Sequence, residues 1–448
     1  MKTPTPFWIA LRDNQDWVDH DVLRAIEWLT SVVEKHDWSN RVANVLQEFE
    51  SAKSEWAIGN RVRLFDPADT IAWYVFQASA YASQREYWYE PEAFRIAPVF
   101  RRFGQILPRL KSVHGIMDRV QHLMTSGRRQ PDDELFELLV AGAYKRRWDN
   151  VAFVPEQRGI AKTQDLLVTG NKRRWAVECK RVNKSDYSGQ ELIQAAALAV
   201  PVHNLCRLRK RSIVLEVRFK VELSAAPLDY LLERAVAFLD SPALGNWDDT
   251  VATGRIRNVD WAMAQAVLEH DDVFFGSSRM VELLTGHHTQ TVDYDMAAEW
   301  IPSDGRPLHA ASMSQASVVG WVSGSYEAAH RKAKHFRALV SSAALQIPDA
   351  YPGVVHVGYE ARTGNAADAF RHSLNAREMS TFDPKEKELL WVYGNYLLPE
   401  RTTAQNEALA ISETTATYKI GRHRKREPLP DHGLFSENLS RPGGYWDM

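Results

Sequence analysis

Cysteine is nearly missing from this chain: two residues, Cys179 and Cys206, among 448. They form neither a disulfide framework nor a CxxC zinc pattern, so a reducing compartment is expected. An excess of one charge is missing too. The chain holds 55 Lys and Arg against 57 Asp and Glu, a net charge of -2. That excludes a uniformly basic protein that coats polyanions, but it leaves room for a local basic face. No apolar run approaches the roughly 20 residues of a membrane-spanning helix. The first residues, MKTPTPFWIALRDNQDW, hold no sustained apolar core and soon turn acidic, so no signal peptide is read there. A soluble cytoplasmic protein is the expectation. No Walker loop or GxGxxG motif occurs, which argues against a built-in ATPase. Gly276-Ser277-Ser278 does not make a nucleophile elbow. Internal repeats and low-complexity tracts are not found.

What is present is a chain of 45% hydrophobic residues, long enough for two or three domains. Residues 1–129 read as a helical, Trp-rich domain. It holds Trp8, Trp17, Trp28, Trp38, Trp56, Trp73 and Trp88, with apolar residues at helical spacing over Asp21–Glu50. Core packing is the expectation for these rings. Tyr87, Trp88 and Tyr89 are the best candidates for stacking on unpaired bases, because three adjacent rings should not all face one core. The polar stretch Ser126–Pro131 marks a boundary. Residues 130–400 read as an α/β domain. A helix starts near Asp132 and Asp133, where acidic residues suit the positive end of the helix dipole. Strands are predicted at Val151–Val154, Asp165–Thr169 and Trp175–Lys180, then a helix over Gly189–Val200 that Pro201 interrupts. Alternation over Ser212–Leu223 predicts a long strand with one exposed face. Residues near 240–320 read as an insertion. A helix at Tyr326–Gln346, a strand at Gly353–Tyr359 and an apolar segment at Leu389–Leu398 follow. Residues 401–448 read as a basic tail.

The chemistry concentrates in Gln164-Asp-Leu-Leu-Val-Thr-Gly-Asn-Lys-Arg-Arg-Trp-Ala-Val-Glu-Cys-Lys180. Two strands flank a Gly170–Asn171 turn. A loop of two or four residues sets Asp165 directly opposite Glu178, and opposite residues share a face. Lys180, two positions on, shares it too, while Cys179 points away as a small buried hydrophobe. The neighbours are apolar on both faces, so the hairpin is predicted to be central and covered. Two carboxylates there are costly unless a cation compensates. Two carboxylates plus waters and phosphate oxygens are a usual setting for Mg2+, with Mn2+ as the alternative. Such a metal polarises a scissile phosphate and lowers the pKa of a bound water. Lys180 is then placed to orient that water or to stabilise transition-state charge. Glu137 is within reach of that metal or a second one from the preceding helix, and Glu134, one turn earlier, is its substitute.

This arrangement resembles the PD-(D/E)xK nuclease superfamily. Asp165 matches the motif's Asp, Glu178-Cys179-Lys180 matches ExK, and Glu137 matches the glutamate of the first core helix. Gln164 stands where the motif has proline. The resemblance is clearest over about residues 132–223, with the Tyr326 helix and Gly353–Tyr359 strand continuing the same sheet. It implies a restriction-endonuclease-like mixed sheet flanked by helices. It also implies catalytic roles for Asp165, Glu178, Lys180 and Glu137, with Asp165, Glu178 and Glu137 as metal ligands. The implied activity is Mg2+-dependent hydrolysis of DNA, with defence against foreign DNA or DNA repair as the setting by family habit. An isolated ExK triplet carries little weight: Asp383-Pro384-Lys385 is a DxK decoy with no strand. The order of elements around the motif is what carries the reading.

Basic residues add to it. Between Arg128 and Lys220 there are 19 Lys and Arg against 11 Asp and Glu. Lys172, Arg173, Arg174, Arg181 and Lys184 are the candidate phosphate contacts. His287, His288, His330 and His335 fit no standard metal spacing. Two alternatives stay open: a member of the same fold that binds nucleic acid or a partner without cutting, and a nuclease acting on RNA. A homodimer or further protein subunits would fit a chain without a motor.

Overall fold

The protein's computed structural model describes residues 18–435 apart from 58–61, 85–86, 156–162, 171–172, 183–185, 290–291, 305, 361–364, 401–409 and 431–432. It is a mixed α/β structure. The N-terminal part is helical, as predicted: α1 (His20–Thr30), α2 (Lys35–Ala57), α3 (Thr70–Ser83), α4 (Glu90–Gln105), α5 (Leu107–Lys111) and α6 (Ile116–Met124). Asp19 caps α1 by accepting from the Asp21 and Val22 amides. Then comes α7 (Pro131–Lys145), which begins with Pro at its first position and three acids in its first turn.

Three strands follow, β1 (Asn150–Phe153), β2 (Leu166–Gly170) and β3 (Arg173–Val182). The long helix α8 (Asp186–Arg209) comes next, then β4 (Ile213–Phe219), α9 (Tyr230–Asp240), β5 (Asn246–Asp248), β6 (Ala252–Asn258), α10 (Trp261–Leu268), β7 (Val273–Phe274), α11 (Ser278–Thr285), β8 (Asp293–Ser303) and β9 (Arg306–Ser323). The chain ends with α12 (Tyr326–Ala344), β10 (Gly353–Glu360), α13 (Asn365–Ser380), β11 (Leu389–Glu400) and β12 (Ala410–Lys419). No helix among the described residues is long and apolar enough to cross a membrane.

Two sheets organise these strands. The first has the order β1-β2-β3-β10-β11-β12. β1, β2 and β3 are antiparallel neighbours, β10 runs parallel to both β3 and β11, and β12 closes the edge antiparallel. β10 thus continues the sheet of β3, as the sequence predicts. On β3, Trp175, Val177 and Cys179 face the core shared with α7. Val182 faces the core of Phe336 and Val340 on α12. The even positions of β3, Glu178 and Lys180 among them, therefore look towards α12.

The second sheet has the order β5-β6-β4-β9-β7, with β8 on β9. It lies between β3 and β10 in sequence. The predicted strand Ser212–Leu223 belongs here, paired in parallel with β9, and not beside β3. It is also shorter and more covered than its alternation suggests: Ile213, Val214, Leu215, Val217 and Phe219 are all buried, and Leu223 already lies in a 3-10 turn. Pro201 does not interrupt α8; the helix runs through it. Nor is the stretch after residue 410 a free tail. It supplies the edge strand β12, and Leu429 and Leu434 are buried in the core that also holds α1, α3, α4 and α7. Arg102 on α4 fixes that return by donating to the Leu434 carbonyl at 2.8 Å.

Trp28 and Trp73 of the N-terminal helices are buried as predicted; Trp8, Trp17 and the side chain of Trp56 lie outside the described residues. Tyr87, Trp88 and Tyr89 depart from the prediction. All three pack against the same core, Tyr87 on Phe76, Trp88 on Tyr81 and Tyr89 on Trp73. Tyr87 lies in a 3-10 turn, and Trp88 and Tyr89 leave it in non-helical backbone, so adjacent rings reach neighbours on different sides.

Candidate metal centre

The β2–β3 ladder pairs Gly170 with Arg173 and ends at Leu166 opposite Val177. One step further in that register puts Asp165 opposite Glu178. The pairing of Gly170 with Arg173 sets this register. Asp165 is the first residue beyond the ladder, and its Oδ2 accepts from the Cys179 amide at 2.7 Å. The backbone of β3 thereby fixes one carboxylate oxygen of Asp165.

Glu178 is fully buried. Its Oε1 accepts from Lys180 Nζ and from Gln346 Nε2, each at 2.5 Å. Its Oε2 is buried with no hydrogen-bond partner. Burial, with the Asp165 charge beside it, pushes the Glu178 carboxyl up to about 8 despite Lys180. Asp165 is raised as well, by burial, against the opposing pull of the Cys179 amide, Lys180 and Arg119. Burial draws the Lys180 ammonium down, but Glu178 more than offsets that, and its pKa ends above the ordinary lysine value. Lys180 therefore stays charged.

Glu137 comes from α7 and is also buried. Burial and then Asp165 push its pKa well above the usual carboxylate range, against Arg119. Arg119, on α6, donates from Nε to Glu137 Oε2 at 2.6 Å and from Nη2 to the same oxygen. That Nη2 also stands 3.8 Å from Asp165 Oδ1. Sequence patterning did not single out Arg119 or Gln346. Glu134, the substitute for Glu137, instead sits 3.0 Å from His122 Nδ1. Its neighbour Asp133 is raised to about 6, by burial and then by Glu134 and Asp132.

The structure thus sets Asp165 between two groups, Glu178 with Lys180 on one side and Glu137 with Arg119 on the other, and Glu137 is not gathered with Glu178 as the sequence predicts. Whether they suit a cation is answered by the donor set. A buried carboxylate oxygen without a donor, beside a second carboxylate, is a place for positive charge. Among the described residues no three His, Cys, Asp or Glu side chains form one metal-holding cluster. Two carboxylates with open positions fit Mg2+, which keeps waters and takes substrate phosphate oxygens.

The candidate phosphate contacts are spread out. Lys172 and Lys184 lie outside the described residues. Arg173 and Arg174 are exposed at the N-terminal end of β3, about 17 and 13 Å along the strand from Glu178 at ~3.3 Å per residue. Arg174 lies over the Tyr351 ring. Arg181 is mostly covered and 4.0 Å from Asp132. The histidines do other work: His287 Nε2 is 2.9 Å from Glu216, and His330 stacks on Tyr326. Cys179 and Cys206 are both buried thiols. In the second sheet His203 Nδ1 is 2.6 Å from Ser317 Oγ and its Nε2 is 3.4 Å from Asp295. Ser317 is 1% exposed in the middle of β9, so no substrate reaches that hydroxyl.

No family model matches this chain, and neither a curated protein nor a solved structure matches it.

Proposed function

We propose that the chain is a Mg2+-dependent phosphodiesterase of the PD-(D/E)xK kind, with a restriction-endonuclease-like core, that hydrolyses DNA. The observation that carries this reading is the Asp165–Glu178–Lys180 cluster on the β2–β3 hairpin, with Glu178 Oε2 buried and unpartnered. The order of elements supports it too: helix with Glu137, hairpin, then the parallel neighbour β10.

Bound Mg2+ would supply Lewis acidity to the scissile phosphate and a more acidic water. The chain's own residues do the rest. Asp165 and Glu178 would hold the ion. Lys180 holds a fixed positive charge beside Glu178, where negative charge develops on the phosphate during attack. Defence against foreign DNA, or DNA repair, would be the setting.

One observation favours a second reading, binding without cutting. Arg119 and Lys180 already neutralise Glu137 and Glu178 in the absence of metal. A single assay separates the two. DNA and RNA substrates are incubated with Mg2+, Mn2+ or EDTA, using wild type, Asp165→Ala, Glu178→Ala and Lys180→Met. Metal-dependent cleavage of DNA should vanish in both carboxylate variants. Lys180→Met should still bind metal, while turnover falls by roughly a hundredfold or more. Cleavage that persists in Asp165→Ala or Glu178→Ala would sink the assignment. Cleavage of RNA alone would move the substrate.

A further inference from the structure

The metal reading leaves Arg119 unexplained. An arginine from α6 is sent into a buried carboxylate cluster, and both of its bonds to Glu137 go to one oxygen, Oε2. The same nitrogen stands 3.8 Å from Asp165 Oδ1. Its side chain is mostly covered, and its guanidinium carbon is 5.7 Å from the centre of the Phe153 ring. Phe153 ends β1, the strand beside β2, so Arg119 is held from three directions: α7, the start of β2 and the end of β1. A second divalent ion held by Glu137 would need the space and the Oε2 oxygen that this guanidinium takes. Two positive charges cannot share one buried oxygen without strong repulsion.

Resting on the metal-dependent reading, we propose that Arg119 is a permanent internal cation in the place of a second metal ion. The centre then takes one divalent ion, on Asp165 and Glu178. Glu137 is not a ligand; it positions Arg119. The guanidinium cannot lose its proton in a protein, so this charge stays whatever the metal concentration.

The test is the number of Mn2+ ions bound per chain, by calorimetry and by electron paramagnetic resonance, without any substrate. Wild type should bind one ion and give the spectrum of an isolated Mn2+. Arg119→Ala should expose Glu137 and bind a second ion, with the signal of a spin-coupled pair. Arg119→Ala combined with Glu137→Gln should return to one. Arg119→Lys, which keeps the charge, should also bind one. Removing Arg119 alone strands a buried carboxylate, so circular dichroism accompanies each variant, and the wild-type count decides if Arg119→Ala does not fold. Two ions in wild type overturn the inference and leave the metal-dependent reading standing. One ion in a folded Arg119→Ala overturns it as well. No ion in wild type, with no protection by Mn2+ against heat, overturns the metal reading itself and this inference with it.

Discussion

At the scale of single residues, Glu178 sets the logic of the centre. A buried carboxylate needs donors, and it has two, both on Oε1. Lys180 is legible in the sequence because strand alternation places it on the same face two positions on. Gln346 is not, because it lies 168 residues away, just past α12, and arrives through the packing of α12 on β3. The same holds for Arg119, which is 18 residues before its partner Glu137 but on a separate helix. Local pattern reports what an element shows its own neighbours; it carries no signal for a side chain delivered by another element. Gln346 donates to the oxygen that Lys180 also holds, so it helps to aim the free oxygen. Gln346→Ala should weaken Mn2+ binding by about tenfold, the lower end for a group that orients a ligand. Calorimetry on Gln346→Ala beside wild type measures this, and equal affinities would show that Lys180 alone orients Glu178.

At the scale of elements, the hairpin and α7 were readable and the connections were not. The pairing of Gly170 with Arg173 fixes a register that one residue of slip would destroy, and the pattern of buried residues agrees with it. Alternation in β4 identifies a strand but says nothing about its partners, which are β6 and, further along the chain, β9. Pro201 was read as a stop because it removes a helix hydrogen bond and clashes with the preceding turn, at roughly 3 kcal/mol. Burial of Leu198, Ala199, Val202 and Cys206 on the same helix offsets that, at about 1.5–3 kcal/mol for each large apolar side chain. The contact between α7 and β10 is tighter. A Cβ added at Gly358 would come 2.7 Å from the Phe136 ring, which is fully buried and cannot swing out. Phe136 directly precedes Glu137. Gly358→Ala should therefore lower stability by about 1–3 kcal/mol through overpacking. Urea unfolding checks this, and an unchanged midpoint would mean that α7 shifts freely on the sheet.

At the scale of the molecule, the N-terminal helices, α7, β2, β3 and the returning C-terminal segment share one core, so α6 can hold Arg119 in the centre. The centre is also wired to overall stability through protons. Glu178 titrates at about 8 in the folded, metal-free protein, and near the ordinary glutamate value of 4.5 when unfolded. Between those values the folded chain holds a proton that the unfolded chain has released. Stability then falls as pH rises, by roughly 1.4 kcal/mol per pH unit for one such group. Asp133, raised to about 6, adds to the fall at the acid end of that window. The fall should be complete once pH has passed the folded value of Glu178. A divalent ion reverses the sign, because it binds the deprotonated carboxylates and not the protonated ones. Three results should follow from thermal unfolding between pH 5.5 and 8.5. In EDTA the melting temperature should drop with rising pH. Mg2+ should raise it more at pH 8 than at pH 6. Glu178→Gln keeps an oxygen for Lys180 and Gln346 but no titrating proton, so its melting temperature in EDTA should be flatter across the range and higher than wild type at pH 8. A wild-type curve in EDTA that is flat, or that rises from pH 6 to 8 in parallel with Glu178→Gln, would show that the carboxylates are not destabilised by one another and would remove the electrostatic reason for a metal between them.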